Sequence, residues 1–143
     1  NRDREQMLID KKRMEQYRSK IGYILEKMYT IPDDTSTMDD IAIDGVLYRV
    51  QTSIDAAVDM AAMLVHDTGV DVGDDYENID ILSAKHEIDQ ELAQNLKKLN
   101  GMRNAIVHKY GLVDVELIFE NIEEIKKMLY KFIEIIEDKL NAH

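Results

Sequence analysis

Cysteine is absent from the 143 residues, and so is tryptophan. Without cysteine there is no disulfide, no thiolate metal site and no cysteine nucleophile, which suits a reducing, cytoplasmic setting. With no tryptophan and two phenylalanines, the core has to be built from Ile, Leu, Val, Met and Ala. One proline and six glycines leave little material for turns, so few and long elements are expected. No apolar run approaches the ~20 residues of a membrane span, and no membrane partner is expected. No basic-then-apolar leader opens the sequence, although a chain beginning at Asn need not begin at its native start. Positive charge is also scarce. Eighteen Lys and Arg stand against 29 Asp and Glu, a formal net charge of −11. That balance argues against a protein that coats nucleic acid or an anionic surface with its whole face, and DNA is not expected as a partner.

What is present is a soluble composition, 45% hydrophobic and 33% charged, enough for one globular domain spanning residues 1–143. The charge is unevenly placed. From Leu92 to Val113 there is no acidic residue, while Lys97, Lys98, Arg103 and Lys109 supply four positive charges, so the rest of the chain carries −15.

The apolar period is helical almost everywhere. Met7, Met14, Tyr17, Ile21, Ile24 and Met28 mark a first helix, closed by Ile31-Pro32, because a proline disfavours helix in the residue before it. A second helix is expected to start near Ser36 or Thr37, with Asp39 and Asp40 complementing its N-terminal dipole. Its stripe runs Ile43, Leu47, Val50, Ile54, Ala57, Ala61 and Leu64, and Gly69 is a natural stop. Residues 69–78 read as an acidic loop, Ile79 to Lys85 as a short helix, and Ile88 to about Tyr110 as a longer one ending at Gly111. Asp114 suits the N-cap of a closing helix carrying Val115, Ile118, Ile122, Ile125, Leu129, Phe132, Ile136 and Leu140. No strand-like alternation and no internal repeat competes with these assignments. The pattern predicts an all-α chain: an antiparallel four-helix bundle with an additional short helix. The broad apolar face of the last helix, widened by Leu117, Phe119, Met128, Ile133 and Ile135, could bury two neighbours, or one neighbour and a second protomer.

Few residues offer chemistry. The acidic loop has Asp71, Asp74, Asp75, Glu77 and Asp80, but counting from Asp71 puts Tyr76 at the glycine position of a calcium loop and Leu82 at its closing glutamate, so no metal is expected. His66 fits a helix C-terminus, where a cation favours the dipole. His86, in HEIDQ, does not match the zinc-protease spacing. The remaining segment is RNAIVHKY, Arg103 to Tyr110. At ~100° per residue, Leu92, Leu96, Leu99 and Ile106 fall within about 60° of Arg103, so the arginine sits on the apolar stripe, where an unpaired charge is costly. Asn104 and His108 are helical neighbours, and the amide could hold the imidazole in one tautomer. Two readings stay open. In one, Arg103 pairs with an acid from another helix and His108 is a helix-end histidine. In the other, the two converge on a substrate. Ideal helix puts them ~140° apart, so convergence requires a helix break near His108 or a second copy of the chain.

RNAIVHKY resembles the R-x4-H-x-Y signature of the HEPN superfamily, specifically the HepT-like toxins paired with minimal nucleotidyltransferase antitoxins. The long second helix YRVQTSIDAAVDMAAMLV and the closing amphipathic helix agree, and the resemblance spans roughly Tyr17 to Leu140. It implies a HEPN-like helical fold that forms a homodimer or higher oligomer. It also implies a metal-independent endoribonuclease, needing no cofactor, in a type VII-like toxin–antitoxin pair. Arg103 would stabilise charge on the scissile phosphate, His108 would transfer protons at the ribose 2′-hydroxyl, and Asn104 would orient the site. Lys97, Lys98 and Lys109 would hold the RNA backbone. Tyr110 would be adenylylated by an MntA-like partner nucleotidyltransferase, silencing the toxin. The superfamily also includes non-catalytic modules that bind a nucleotide or a nucleotidyltransferase, which is the alternative the resemblance leaves.

Overall fold

The computed structural model describes residues 9–108 and 114–142. Met7, Lys109, Tyr110, Gly111 and His143 therefore lie outside the described residues. Within them the elements are α1 (Lys11–Tyr29), α2 (Asp40–Asp67), α3 (Asp75–Ala84), α4 (Gln90–His108), α5 (Val115–Glu120) and α6 (Ile122–Asn141). The four long helices close a ring, α1 on α2, α2 on α4, α4 on α6 and α6 back on α1, while α3 covers α2 and α4. None of the described helices is long and apolar enough to cross a membrane.

Side-chain links fix the antiparallel order. Arg13, at the start of α1, holds Asp67, at the end of α2. Arg49, near the start of α2, donates to Thr30 just past the end of α1. Lys139, at the end of α6, bonds Glu87 ahead of α4, and Lys126, near the start of α6, donates to the Ile31 carbonyl past the end of α1. The stripes read from the sequence meet inside the ring: Tyr17, Ile21, Ile24 and Met28 from α1 and Val50, Ile54, Ala57, Ala61 and Leu64 from α2. They join Leu92, Leu96, Leu99 and Ile106 from α4 and Ile125, Leu129, Phe132, Ile136 and Leu140 from α6, all buried.

Asp67 clasps Arg13 and Tyr17 of α1. Asp67 is 3% exposed. Both its carboxylate oxygens accept from Arg13 Nε, at 3.1 and 3.0 Å, and Oδ2 also accepts from the buried Tyr17 hydroxyl at 2.6 Å. Burial first, then the bond to Asp67, pushes the Tyr17 phenol well above its ordinary range, while the carboxylate raises Arg13. Removing one partner of such a group strands a buried charge, at a cost of about 3 kcal/mol or more.

The boundaries differ from the periodic reading where side chains compete for the backbone. The second helix starts at Asp40 rather than near Ser36, because Asp39 accepts from Ala42 N–H while the Ser36 hydroxyl and amide are both occupied by Asp34. The acidic loop is shorter than expected and the short helix starts at Asp75. Asp74 and Glu77 form a capping box, the carboxylate of each accepting the other's backbone N–H. Asn78 braces it by bonding both the N–H and the carbonyl of Gly73, where a Cβ would meet Glu77 Oε1 at 2.6 Å. Of the acids read as a loop, Asp74, Asp75 and Glu77 are helix-starting groups. The closing segment is two helices instead of one. Asn121 turns its side chain onto the Leu117 carbonyl at 2.8 Å and its N–H onto Ile118, interrupting α5 before α6 restarts on the Asn121 carbonyl.

Gly69 ends α2 as its position implies, with φ +86 and the Val70 N–H reaching back to Val65, a Schellman close. The same close ends α3, where Glu87 N–H bonds Leu82, but the left-handed residue is His86, φ 60.

Candidate functional site

Arg103 stands on the apolar stripe of α4, and the acid that such a position demands is Asp55, from the middle of α2. Arg103 Nε donates to Asp55 Oδ1 at 2.5 Å. The side chains are 26% and 32% exposed, so the pair is screened on one side and packed on the other. Arg103 Nη1 also donates to Asn104 Oδ1 at 3.0 Å. Among the described residues, then, two of the five guanidinium N–H groups are committed, and both commitments aim the plane of the group. Asn104, expected to orient His108, gives its side-chain oxygen to the arginine.

His108 is exposed and closes the described part of α4, which is helical through it. A break ahead of His108 is thereby removed as a route to convergence. Five residues of continuous helix leave the two side chains ~140° apart and ~7 Å along the axis. Lys97 is bound to Asp80 of α3 at 2.5 Å, and Lys98 is exposed. On the helical wheel Lys97, Gly101, Asn104 and His108 form one stripe, all within an arc of about 60°. Lys109 and Tyr110 fall outside the described residues. His66 is 74% exposed at the end of α2, its Nδ1 3.3 Å from Asp67, and His86 is an exposed turn residue. Neither joins the Arg103 group.

Sequence reasoning missed Asp55. The signal was in SIDAAVDMAA, where two carboxylates, Asp55 and Asp59, four residues apart, interrupt an otherwise small and apolar run in a central helix. Among the described residues two further polar groups are buried with no hydrogen-bond partner, Ser53 Oγ on α2 and Asn100 Oδ1 on α4. Asn100 precedes Arg103 by one turn.

Residues 14–136 match the family model described as Ribonuclease HepT-like. A protein of Archaeoglobus fulgidus, named as a candidate RNase, is 48% identical over 128 residues, covering 90% of this chain and 96% of its own. The mRNA nuclease HepT of Shewanella oneidensis is 24% identical over 95 residues, 66% of this chain and 71% of its own. The solved structure of a tri-AMPylated Shewanella oneidensis HEPN toxin, in complex with an MNT antitoxin, superposes with a TM-score of 0.79 at 22% identity. It covers 86% of this chain and 97% of that one.

Proposed function

From the premise that the chain belongs to the HepT-like ribonuclease family, we propose that it is the endoribonuclease toxin of a toxin–antitoxin pair, with Arg103 and His108 as its catalytic residues. The observation that carries the reading is the steering of a half-buried guanidinium by Asp55 and Asn104. Such an arrangement presents fixed N–H donors to a phosphate, the bidentate geometry for which guanidinium is suited. RNA supplies its own nucleophile. The 2′-oxygen attacks the adjacent phosphorus as its proton passes to a base, and the 5′-oxygen leaves with a proton from an acid. The products are a 2′,3′-cyclic phosphate and a 5′-hydroxyl. An imidazole can both accept and donate a proton, the role proposed for His108, and Arg103 offsets the charge that builds on the phosphoryl oxygens.

The continuity of α4 through His108 favours a site completed by a second copy, so the working unit is a homodimer in which one protomer's arginine serves the other's histidine. Lys98 and Lys109 are the proposed contacts to the RNA backbone, which Lys97 would join only by leaving Asp80. Tyr110, two residues past His108, is the proposed point of adenylylation by a partner nucleotidyltransferase. An anionic nucleotide there would compete with RNA phosphate for Arg103. The state of the Shewanella toxin, AMPylated and bound to its antitoxin, supports this regulation.

The test is complementation between two inactive variants. Arg103→Ala and His108→Ala are each expected to lose metal-free RNA cleavage. Mixed in equal amounts and allowed to exchange subunits, they should regain about a quarter of the wild-type rate, since about half the dimers then hold one intact site of two. Full activity in both single variants would refute the assignment of Arg103 and His108, and absence of metal-free cleavage by the wild type would leave a non-catalytic binding module. A dead mixture would place the site within one protomer.

A further inference from the structure

Asp55 has a second face. Besides holding Arg103, it lines an open groove of about 360 Å³ between α1 and α2, together with Ser19, Lys20, Tyr23, Thr52 and Asp59. The size is at the lower end for small-molecule pockets, suited to one compact ring system. Its polar lining sets the carboxylates of Asp55 and Asp59 and the Thr52 hydroxyl beside the ammonium of Lys20. Asp55 is held by Arg103 through Oδ1, and Asp59 is held by Lys20 through Oδ2 at 3.3 Å. An ionised carboxylate has about four lone-pair directions, so each can accept further bonds. Thr52 spends its hydroxyl proton on the Tyr48 carbonyl at 3.0 Å and offers lone pairs to the groove. Tyr23 adds an aromatic surface, with Lys27 Nζ 5.2 Å from its ring centroid.

Each carboxylate is paired with a cation, Asp55 with Arg103 and Asp59 with Lys20, so what the two offer the groove is hydrogen-bond acceptance rather than net charge. A flat group carrying N–H donors fits. Guanine presents N1–H and its 2-amino group side by side, the arrangement a carboxylate accepts bidentately, whereas uracil has a single N–H flanked by carbonyls that the carboxylate oxygens repel. We infer that the α1–α2 groove is a base subsite, selecting guanine over uracil in the nucleotide next to the cleaved phosphodiester. The inference rests on the reading of Arg103 as the phosphate-binding group, because their shared Asp55 sets base and phosphate one carboxylate apart.

The test is binding of guanosine and uridine 5′-monophosphates to the isotope-labelled full chain, followed by amide NMR shifts. Guanosine monophosphate should move Ser19, Tyr23 and Thr52 and bind about tenfold more tightly than uridine monophosphate, the discrimination of one good bidentate contact. Asp59→Asn should bring the two affinities to within about twofold, and Tyr23→Phe, which keeps the ring, should preserve the preference. Equal affinities in the wild type, or shifts confined to other helices, would overturn the inference. The Arg103–His108 assignment fails separately: undiminished RNA cleavage by Arg103→Ala and His108→Ala would remove it while leaving the guanosine shifts in place.

Discussion

Replacing Asp55 with alanine separates what holds Arg103 from what Arg103 does. The structural cost follows from the geometry. The contact is a charge-assisted hydrogen bond of 2.5 Å, worth about 1.5–3 kcal/mol when sheltered, but both side chains are a quarter to a third exposed and water screens them. A loss of about 1–2 kcal/mol is expected, or a melting temperature lower by roughly 5 °C. The kinetic cost is larger. Freed from Asp55, the guanidinium keeps only the link to Asn104, and a displacement of the order of 1 Å is enough to reduce turnover about a hundredfold. The loss should fall on kcat, with KM little changed, because a mobile arginine still attracts RNA yet meets the transition state poorly. Asp55→Asn, which retains an acceptor of the same shape, should lie between. Initial rates on a fluorophore–quencher RNA and urea unfolding of the same samples give both numbers. The decisive comparison is the double variant. On an RNA without guanine, where Asp55 has no base to hold, removing it with Arg103 already Ala should subtract nothing further from the residual rate, since the carboxylate then acts only through the arginine. Wild-type turnover in Asp55→Ala, or losses that multiply in the double variant, would refute the positioning role.

Two other outcomes are expected on stability alone. The folded chain holds the Tyr17 phenol above its ordinary value of 10.0, so above about pH 10 the unfolded chain binds fewer protons than the folded one and stability falls as pH rises; urea midpoints between pH 9 and 11 should decline less steeply in Tyr17→Phe, and identical slopes would show that the phenol is not what titrates. His86 occupies a left-handed conformation, φ 60, that costs a non-glycine residue about 1 kcal/mol, so His86→Gly should raise the melting temperature by roughly 3 °C, and no rise would mean that the imidazole compensates the strain.

How far the chain could be read without coordinates depended on the range of each interaction. The bundle was legible because burial repeats every three or four residues over many turns of all four long helices. Gly69 was legible because only one backbone conformation needs it. Arg103 announced a missing partner, since a charge on the Leu92–Leu96–Leu99 stripe has to be answered. Which acid answers it was not legible: Asp55 and Asp59 share a helix face, and only the axial offset of α2 against α4 chooses between them. The other misreadings are local contests that periodicity averages away. Asn121 interrupts the strongest amphipathic pattern in the chain through one side-chain bond to Leu117. Asp74 and Glu77 look like surplus charge until their oxygens are found on each other's amides.

The break at Asn121 also divides the molecule into parts that open at different cost. Helix α2 packs against α1, α3, α4 and α6, so its central amides can exchange with solvent only when the whole bundle comes apart. Helix α5 has six residues and one buried side chain, Ile118, and Asn121 uncouples it from the buried length of α6. It can unfold alone. The wall that carries Asp55 thus belongs to the slowest-opening unit of the fold, while the chain beyond His108 rejoins the bundle through its most weakly held helix.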